Sequence, residues 1–460
     1  MQKKHFFTLC ATVILCVTLL TQNVFAAITY EPDTFDVLCE SAYMVNLDLD
    51  LPIYAKAENT QLDPASLTKI MTGALVLDTI PEEDLEKVIA CDAEIMNDPY
   101  WGEMEASWSG FYADQEVSIR NMLNALIIQS GCDMGDVLAK YTATNYMGGD
   151  IQTFVDAMNA KAEELGCQNT HFVNTHGLPA EGQYSSAYDM YLITKYALSV
   201  PHFQEIADTD VTYVPADGVH YTDKFPIINT NDMVFEGNEY YYEPLIPIKT
   251  GTTSNNTKNL VTLASKYGYT YMVVLLGGQD KDEAGNDVNA TYRDTINLYE
   301  WAFEGFTTKT IVSAGDSSAG VEIPVRLSTA KKFVIAVPES TIDVLIPSDI
   351  SASDLERSPH IPESLDAPID KGESVGSMDL LLDGQVLATV NLVSNEKIER
   401  SSFLYLMDEI RKFFSMTIVK IGMLALGVLI ILYIVYAIKQ NAKQKKMLKK
   451  ASHVKPPKKN

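Results

Sequence analysis

Asp63-Pro64-Ala65-Ser66-Leu67-Thr68-Lys69-Ile70-Met71-Thr72 places a hydroxyl and an amine three residues apart at the head of a helix. Asp63 is a good N-cap and Pro64 suits the first helical position, so the pattern predicts a first turn over 65–67. Ile70, Met71, Leu75, Val76 and Ile80 then recur at helical spacing until Pro81 closes the run. Residues i and i+3 share a helix face, which puts the Lys69 amine within reach of the Ser66 hydroxyl proton. The positive end of the helix dipole lies at Ser66 and favours negative charge developing there. Alone, an S-x-x-K pattern arises by chance roughly once in a chain of this length, and an ordinary amphipathic helix accounts for it. Its meaning depends on what the rest of the chain brings to it.

On the N-terminal side, 42–47 and 51–54 read as two short strands around a polar turn. On the C-terminal side, residues 91–115 form an aromatic and acidic excursion with no clear period, expected near a substrate cleft. A helix over 118–129 carries Ile119, Met122, Leu123, Leu126 and Ile127 on one stripe and stops at Ser130-Gly131-Cys132-Asp133. A second helix is expected from 134 to 141, so Ser130 presents a hydroxyl at a joint between helices. Further helices are expected over 151–165 and from the cap at 184–189 through 198. His171 and His176 lie in the loop between them. They lack a third metal partner, and hydrogen bonding is the reading for both. Residues 203–245 are loop-rich. A strand follows with Lys249-Thr250-Gly251-Thr252, where Gly251 lets another backbone approach closely. The runs 260–264 and 271–276 read as adjacent antiparallel strands, and 289–306 as a helix.

From 308 to 397 the pattern changes to short β runs at 321–325, 333–337, 342–346, 378–382 and 386–393, the last two joined by Asp383-Gly384, a hairpin signal. No reactive constellation occurs there, and a small all-β domain with a spacer or docking role is expected. Residues 398–415 predict a juxtamembrane amphipathic helix.

With 460 residues, 47% hydrophobic and 21% charged, the chain can build two or three folded domains. Its charge is uneven. All 61 acids fall within 27–412, against 23 Lys and Arg, a net of −38 for that stretch. Such a surface excludes nucleic acid as a partner, since nothing there neutralises phosphates. Both ends carry membrane signals. Residues 1–26 combine Lys3 and Lys4, an apolar run from Phe6 to about Leu20, and small residues near Val24-Phe25-Ala26, the pattern of a cleaved secretory signal. Ile421 to Ile438 is 18 residues without charge, about 27 Å of helix, within an expected transmembrane helix at 416–438. The tail 439–460 holds nine lysines and no acid, which places it in the cytoplasm and the acidic middle outside the cell. Cys39, Cys91, Cys132 and Cys167 show no C-x-x-C spacing; zinc is not expected, and disulfides stay open.

Ser66-x-x-Lys69, Ser130-Gly-Cys132 and Lys249-Thr250-Gly251 occur in that order, with Glu116-Val117-Ser118-Ile119-Arg120, Leu123-Asn124-Ala125-Leu126 and His176-Gly177-Leu178 between them and Pro368-Ile369-x-Lys371-Gly372 beyond. From about 36 to 395 the chain resembles the low-molecular-mass penicillin-binding proteins, serine-type D-alanyl-D-alanine carboxypeptidases that trim peptidoglycan stem peptides. The resemblance implies an α+β, β-lactamase/transpeptidase-like domain at 27–307, an antiparallel sheet with helices on both sides and a helical subdomain, ahead of the β domain and the membrane helix. It implies Ser66 as nucleophile, Lys69 as base and Ser130 as proton relay. Lys249, Thr250, Gly251, Thr252 and Cys132 would bind substrate, the Ser66 and Thr252 backbone N–H groups forming the oxyanion hole. Substrates would be stem peptides ending in D-Ala-D-Ala, β-lactams would inhibit covalently, and neither metal nor organic cofactor is called for.

One position departs from the family pattern. Cys132 stands where Asn is usual, and a thiol is the weaker hydrogen-bonding group. The alternatives are a class A-like β-lactamase, which needs a Glu to activate water, with Glu163-Glu164 the segment to weigh, and a weakly active or non-catalytic peptidoglycan-binding homologue.

Overall fold

A computed structural model describes residues 29–281 and 285–451, with side chains to Met447. The expected secretory signal lies outside the described residues. The described residues divide into two compact units, one of residues 29–308 with 345–350, the other of 309–344 with 351–451.

The first unit contains β1 (Ser41–Asn46), β2 (Leu51–Lys56), α1 (Thr68–Thr79), α2 (Ile119–Ile127), α3 (Cys132–Thr142), α4 (Ile151–Glu164), α5 (Ala187–Ser199), β3 (Leu245–Thr252), β4 (Lys258–Lys266), β5 (Tyr269–Gly278) and α6 (Ala290–Gly305). The strands form one antiparallel sheet in the order β2-β1-β5-β4-β3, so the N-terminal hairpin closes onto the C-terminal meander through β1 and β5. Side chains alternate across the sheet. Met272, Val274 and Leu276 of β5 share a core with α1 to α5, while Tyr271, Val273 and Leu275 share a second core with α6. Burial on both faces explains why β5 reads as an unbroken apolar run. Helix α1 is buried at every position from Thr68 to Leu77, which makes it the axis of the helical side. Each fully buried aliphatic side chain there contributes roughly 1.5–3 kcal/mol.

The expected elements appear with shifted ends. The Asp63 carboxylate accepts the Ala65 N–H at 2.8 Å, and Ala65 takes φ +47°. The first turn is therefore a 3-10 turn over Ala65–Leu67, and the α-helix begins at Thr68. Helix α3 begins at Cys132, two residues earlier than its apolar stripe suggests, because Gly131 supplies the extended N-cap. The 91–115 excursion contains two short helices, Ala93–Met96 and Tyr100–Glu103, and Val88–Ala90 pairs with Glu116–Ser118. Within 203–245 a hairpin joins Val211–Val214 to Phe225–Ile228.

In the second unit, β6 (Val321–Arg326), β7 (Phe333–Pro338), β8 (Glu356–His360), β9 (Leu365–Asp366), β10 (Ser374–Leu382) and β11 (Gln385–Ser394) form a sheet in the order β8-β10-β11-β7-β6-β9. Leu382 pairs with Gln385 across Asp383 and Gly384, both at positive φ, the turn their types favour. The sequence pattern does not mark strands β8 and β9: β8 is an exposed edge with Pro359 and charged residues and has no apolar alternation to read, and β9 is two residues long. Helix α7 (Ser402–Ser415) is capped by the Ser401 hydroxyl, and α8 runs from Thr417 to Ala451. Residues Thr417–Met447 of α8 are long and apolar enough to cross a membrane, and none of that window is buried. The helix continues past 438 because Ala, Gln, Lys, Met and Leu favour helix and no proline intervenes before Pro456.

Candidate active site

The Ser66 turn is wedged between two segments. On one side lies β3: a Cβ added to Gly251 would stand 3.2 Å from the Pro64 carbonyl oxygen and 3.4 Å from the Ser66 nitrogen. On the other, a Cβ at Gly177 would stand 1.8 Å from the Ala65 carbonyl oxygen. Both glycines are therefore set by close backbone approach. Asn259 of β4 adds a clamp, donating to the Asp63 carbonyl at 2.9 Å and accepting from the Gly277 N–H at 2.9 Å.

Lys69 is fully buried one helical turn below Ser66. Its Nζ lies 2.8 Å from Ser66 Oγ, 2.7 Å from the His176 carbonyl oxygen and 3.3 Å from Cys132 Sγ. Three acceptors match the three hydrogens of an ammonium. In the neutral amine, two of them orient the group so that its lone pair faces Ser66. His176 itself is held by its surroundings: its Nδ1 accepts the Leu178 N–H at 3.1 Å, and burial, reinforced by the charge of Lys69, pulls the imidazole down to about 3. The ring is thus neutral, with its proton on Nε2.

Ser130 and Cys132 form the second wall. Ser130 adopts φ +67° at the joint between α2 and α3, and Cys132 is the first residue of α3. Lys249 of β3 is buried, with Nζ donating to the Thr250 carbonyl at 3.1 Å. Burial, then the charge of Lys69, holds its ammonium well below the usual lysine range, with Cys132 opposing. Thr250 Oγ1 lies 2.6 Å from Thr230 Oγ1. A cleft of about 540 Å³ opens over these groups, lined by Ser66, Ser130, Cys132, Thr250, Gly251 and Thr252, with Asp63, Glu105 and Asp232 among its other residues. The eight expected site residues are therefore gathered at one place, six along the cleft wall and Lys69 and Lys249 buried behind it. A hydroxyl aligned on a buried amine, with a second hydroxyl and a second cation across a cleft, can support acyl transfer through a serine ester.

Residues outside the three motifs hold this arrangement. Ser107 Oγ lies 2.5 Å from the Ser130 carbonyl and 3.3 Å from Cys132 Sγ. Ser109 donates its N–H to Asp133 at 3.0 Å and its hydroxyl to the other Asp133 oxygen. Burial pushes the Asp133 carboxyl up to about 6 against these bonds. Two isolated serines in an aperiodic segment carry no spacing signal, so the sequence does not mark them. His171 Nδ1 is engaged with the Gly182 carbonyl at 2.9 Å, and Cys39, Cys91, Cys132 and Cys167 are free thiols.

The antiparallel sheet covered by helices on both faces, with a serine–lysine pair at the head of the central helix, defines the transpeptidase-like class of serine enzymes. A family model described as D-alanyl-D-alanine carboxypeptidase matches residues 27–280, and one described as penicillin-binding protein 5, C-terminal domain, matches 306–400. The chain belongs to the D-alanyl-D-alanine carboxypeptidase family. It is 28% identical over 366 residues to D-alanyl-D-alanine carboxypeptidase DacF of Bacillus subtilis, covering 79% of this chain and 87% of that one. To DacA of Escherichia coli it is 26% identical over 388 residues, covering 82% and 87%. The fold is shared with the crystal structure of DacD from Francisella tularensis, at TM-score 0.61 and 20% identity over 84% of this chain and 98% of that one. Penicillin-binding protein 5 from Haemophilus influenzae superposes at TM-score 0.56 with 21% identity, over 80% and 100%.

Proposed function

We propose that the chain removes the terminal D-alanine from peptidoglycan stem pentapeptides through an acyl-enzyme on Ser66, and that β-lactams acylate the same oxygen. The observation that carries this reading is the Lys69 amine, 2.8 Å from Ser66 Oγ and held there by Cys132 Sγ and the His176 carbonyl. Ser66 Oγ attacks the carbonyl carbon between the two D-alanines as its proton passes to Lys69. The backbone N–H groups of Ser66 and Thr252 face the developing oxyanion, each such donor being worth about 3 to 4 kcal/mol. Ser130 relays a proton to the leaving amine, the C–N bond breaks, and D-alanine departs. Water then cleaves the ester and Ser66 Oγ recovers its proton. Lys249 and Thr250 receive the substrate's terminal carboxylate. An arriving anion compensates the burial that depresses the Lys249 ammonium, so binding and charge are coupled there.

Two observations favour this reading over the alternatives. Glu163 and Glu164 lie at the end of α4, Glu164 is paired with Lys161 at 2.9 Å, and neither lines the cleft, so they are not placed to activate a deacylating water. Cys132 keeps a contact to Lys69, which supports an active site over a vestigial one. The same reading makes α8 a single membrane anchor, with the catalytic unit outside the cell and the lysine tail in the cytoplasm.

The test is peptide mapping after incubation with penicillin. The adduct mass is expected on the peptide containing Ser66, absent in Ser66→Ala; an adduct on another residue, or none, overturns the assignment. Protease added to intact spheroplasts should remove the catalytic unit and spare the tail.

A further inference from the structure

Ser107 belongs to none of the three motifs, yet it touches both working residues of the second one. Its hydroxyl is 2.5 Å from the Ser130 carbonyl oxygen and 3.3 Å from Cys132 Sγ, and its own carbonyl accepts the Cys132 N–H at 2.9 Å. Counting hydrogens fixes the directions of these bonds. A serine hydroxyl has one hydrogen, and a carbonyl oxygen can only accept, so that hydrogen goes to Ser130. Toward Cys132 the Ser107 oxygen is then the acceptor, and the thiol S–H donates. The sulfur in turn accepts the Lys69 N–H at 3.3 Å. The bonds run one way, from Lys69 to Cys132, from Cys132 to Ser107, and from Ser107 to the Ser130 carbonyl.

We propose that Ser107 is a positioning residue for the acylation step: it pins the left-handed turn at Ser130 and points the Cys132 S–H away from Lys69, so that the sulfur faces the amine as an acceptor. The segment carrying it cannot drift. Ser109 is tied to Asp133 through both its N–H and its hydroxyl, and a Cβ on Gly131 would come within 3.1 Å of the Ser109 Cα. A thiol is a weak hydrogen-bonding group that turns freely about Cβ–Sγ, so a second contact that orients it matters more than it would for an amide. Ser107 thereby supplies orientation that the weaker group lacks. The inference rests on the reading of Ser66 and Lys69 as the acylated serine and its base.

The experiment uses the full chain in detergent with three readouts: the second-order rate of acylation by a fluorescent penicillin, the split between kcat and KM for D-alanine release, and the rate at which Cys132 reacts with methyl methanethiosulfonate, located by peptide mapping. Ser107→Ala is expected to slow acylation and lower kcat by roughly 10- to 100-fold, with KM within about twofold. Ser107→Thr, which keeps the hydroxyl, should return both to within about threefold of wild type. Cys132 should react several-fold faster in Ser107→Ala, because its S–H has lost its acceptor. Acylation in Ser107→Ala within threefold of wild type, a loss carried by KM, or Ser107→Thr as slow as Ser107→Ala overturns the inference. A wild type that takes no label refutes the assignment of Ser66 instead, and the thiol readout still decides the case of Ser107: an unchanged rate in Ser107→Ala counts against it.

Discussion

Replacing Gly177 by alanine inserts a methyl group where the structure has no room for one. Gly177 sits at φ +80°, one residue after the carbonyl that holds Lys69, and the added Cβ would lie 1.8 Å from the Ala65 oxygen, 2.5 Å from the Ala65 carbonyl carbon and 2.9 Å from Thr68 Oγ1. Real Cβ atoms stay beyond 3.0 Å, so the two backbones must part by about 1.2 Å. The two closest obstacles are main-chain atoms, which no rotamer change can move aside. Ala65 is bonded to Ser66, and the displacement falls on the nucleophile. A misplacement of about 1 Å can cost roughly 100-fold in rate, equivalent to about 2.7 kcal/mol of barrier. The left-handed backbone adds about 1–2 kcal/mol of strain to the folded state. Gly166→Ala separates these effects, since Gly166 is at φ +86° with nothing within 4 Å of its Cβ position. Measured by fluorescent penicillin acylation and thermal unfolding, Gly177→Ala should lose about 100-fold or more in acylation, while Gly166→Ala loses stability alone. Acylation of Gly177→Ala within threefold of wild type, or an equal loss in Gly166→Ala, would refute the argument from close approach.

Lys249→Met should abolish turnover of carboxylate-bearing substrates by about 100-fold or more without lowering the thermal midpoint, because an apolar chain of similar volume replaces an ammonium held down by burial; a large fall in the midpoint would count against it. Cys132→Ala removes one of three contacts to Lys69, a weak one, but leaves Ser107 bonded to the Ser130 carbonyl, and should slow acylation by about 3- to 10-fold, less than Ser107→Ala, which loses both; no change would show that the thiol does not orient the amine. His176 sets an acid limit on stability. Its pKa is about 3 in the fold against 6.5 when free, so its contribution is fully present above pH 6.5 and is lost as pH falls toward 3. Between pH 6.5 and 4.5 that loss is roughly 2 kcal/mol. Unfolding free energies from urea titrations at the two pH values should differ less in His176→Asn by this amount, and parallel behaviour would contradict it.

The parts of the fold that were legible in the sequence are those with a period. Helix α1 showed itself through Ile70, Met71, Leu75 and Val76, and β5 through its continuous apolar run. The strand β8 and the hairpin at 211–228 lacked that signal because they are short, exposed and mixed in polarity. At the site, the three motifs marked Ser66, Lys69, Ser130, Cys132 and Lys249, although spacing supplied only the pairing of Ser66 with Lys69, and the joint role of the set came from family resemblance. Ser107, Ser109 and Asp133 could not be read this way. Their contacts join residues 23 to 25 apart with the whole of α2 between them, and no local pattern encodes such a distance. The left-handed backbone at Ala65 and Ser130 was equally hidden, since neither residue type favours it and tertiary packing imposes it.

The central claim is that Ser66 transfers the acyl group of a D-Ala-D-Ala peptide. Free D-alanine released from a stem pentapeptide by the full chain in detergent, with Ser66→Ala prepared identically, tests it most directly. Release by wild type and none by Ser66→Ala is the predicted result, and equal release by the two proteins, or none by either, would contradict the claim.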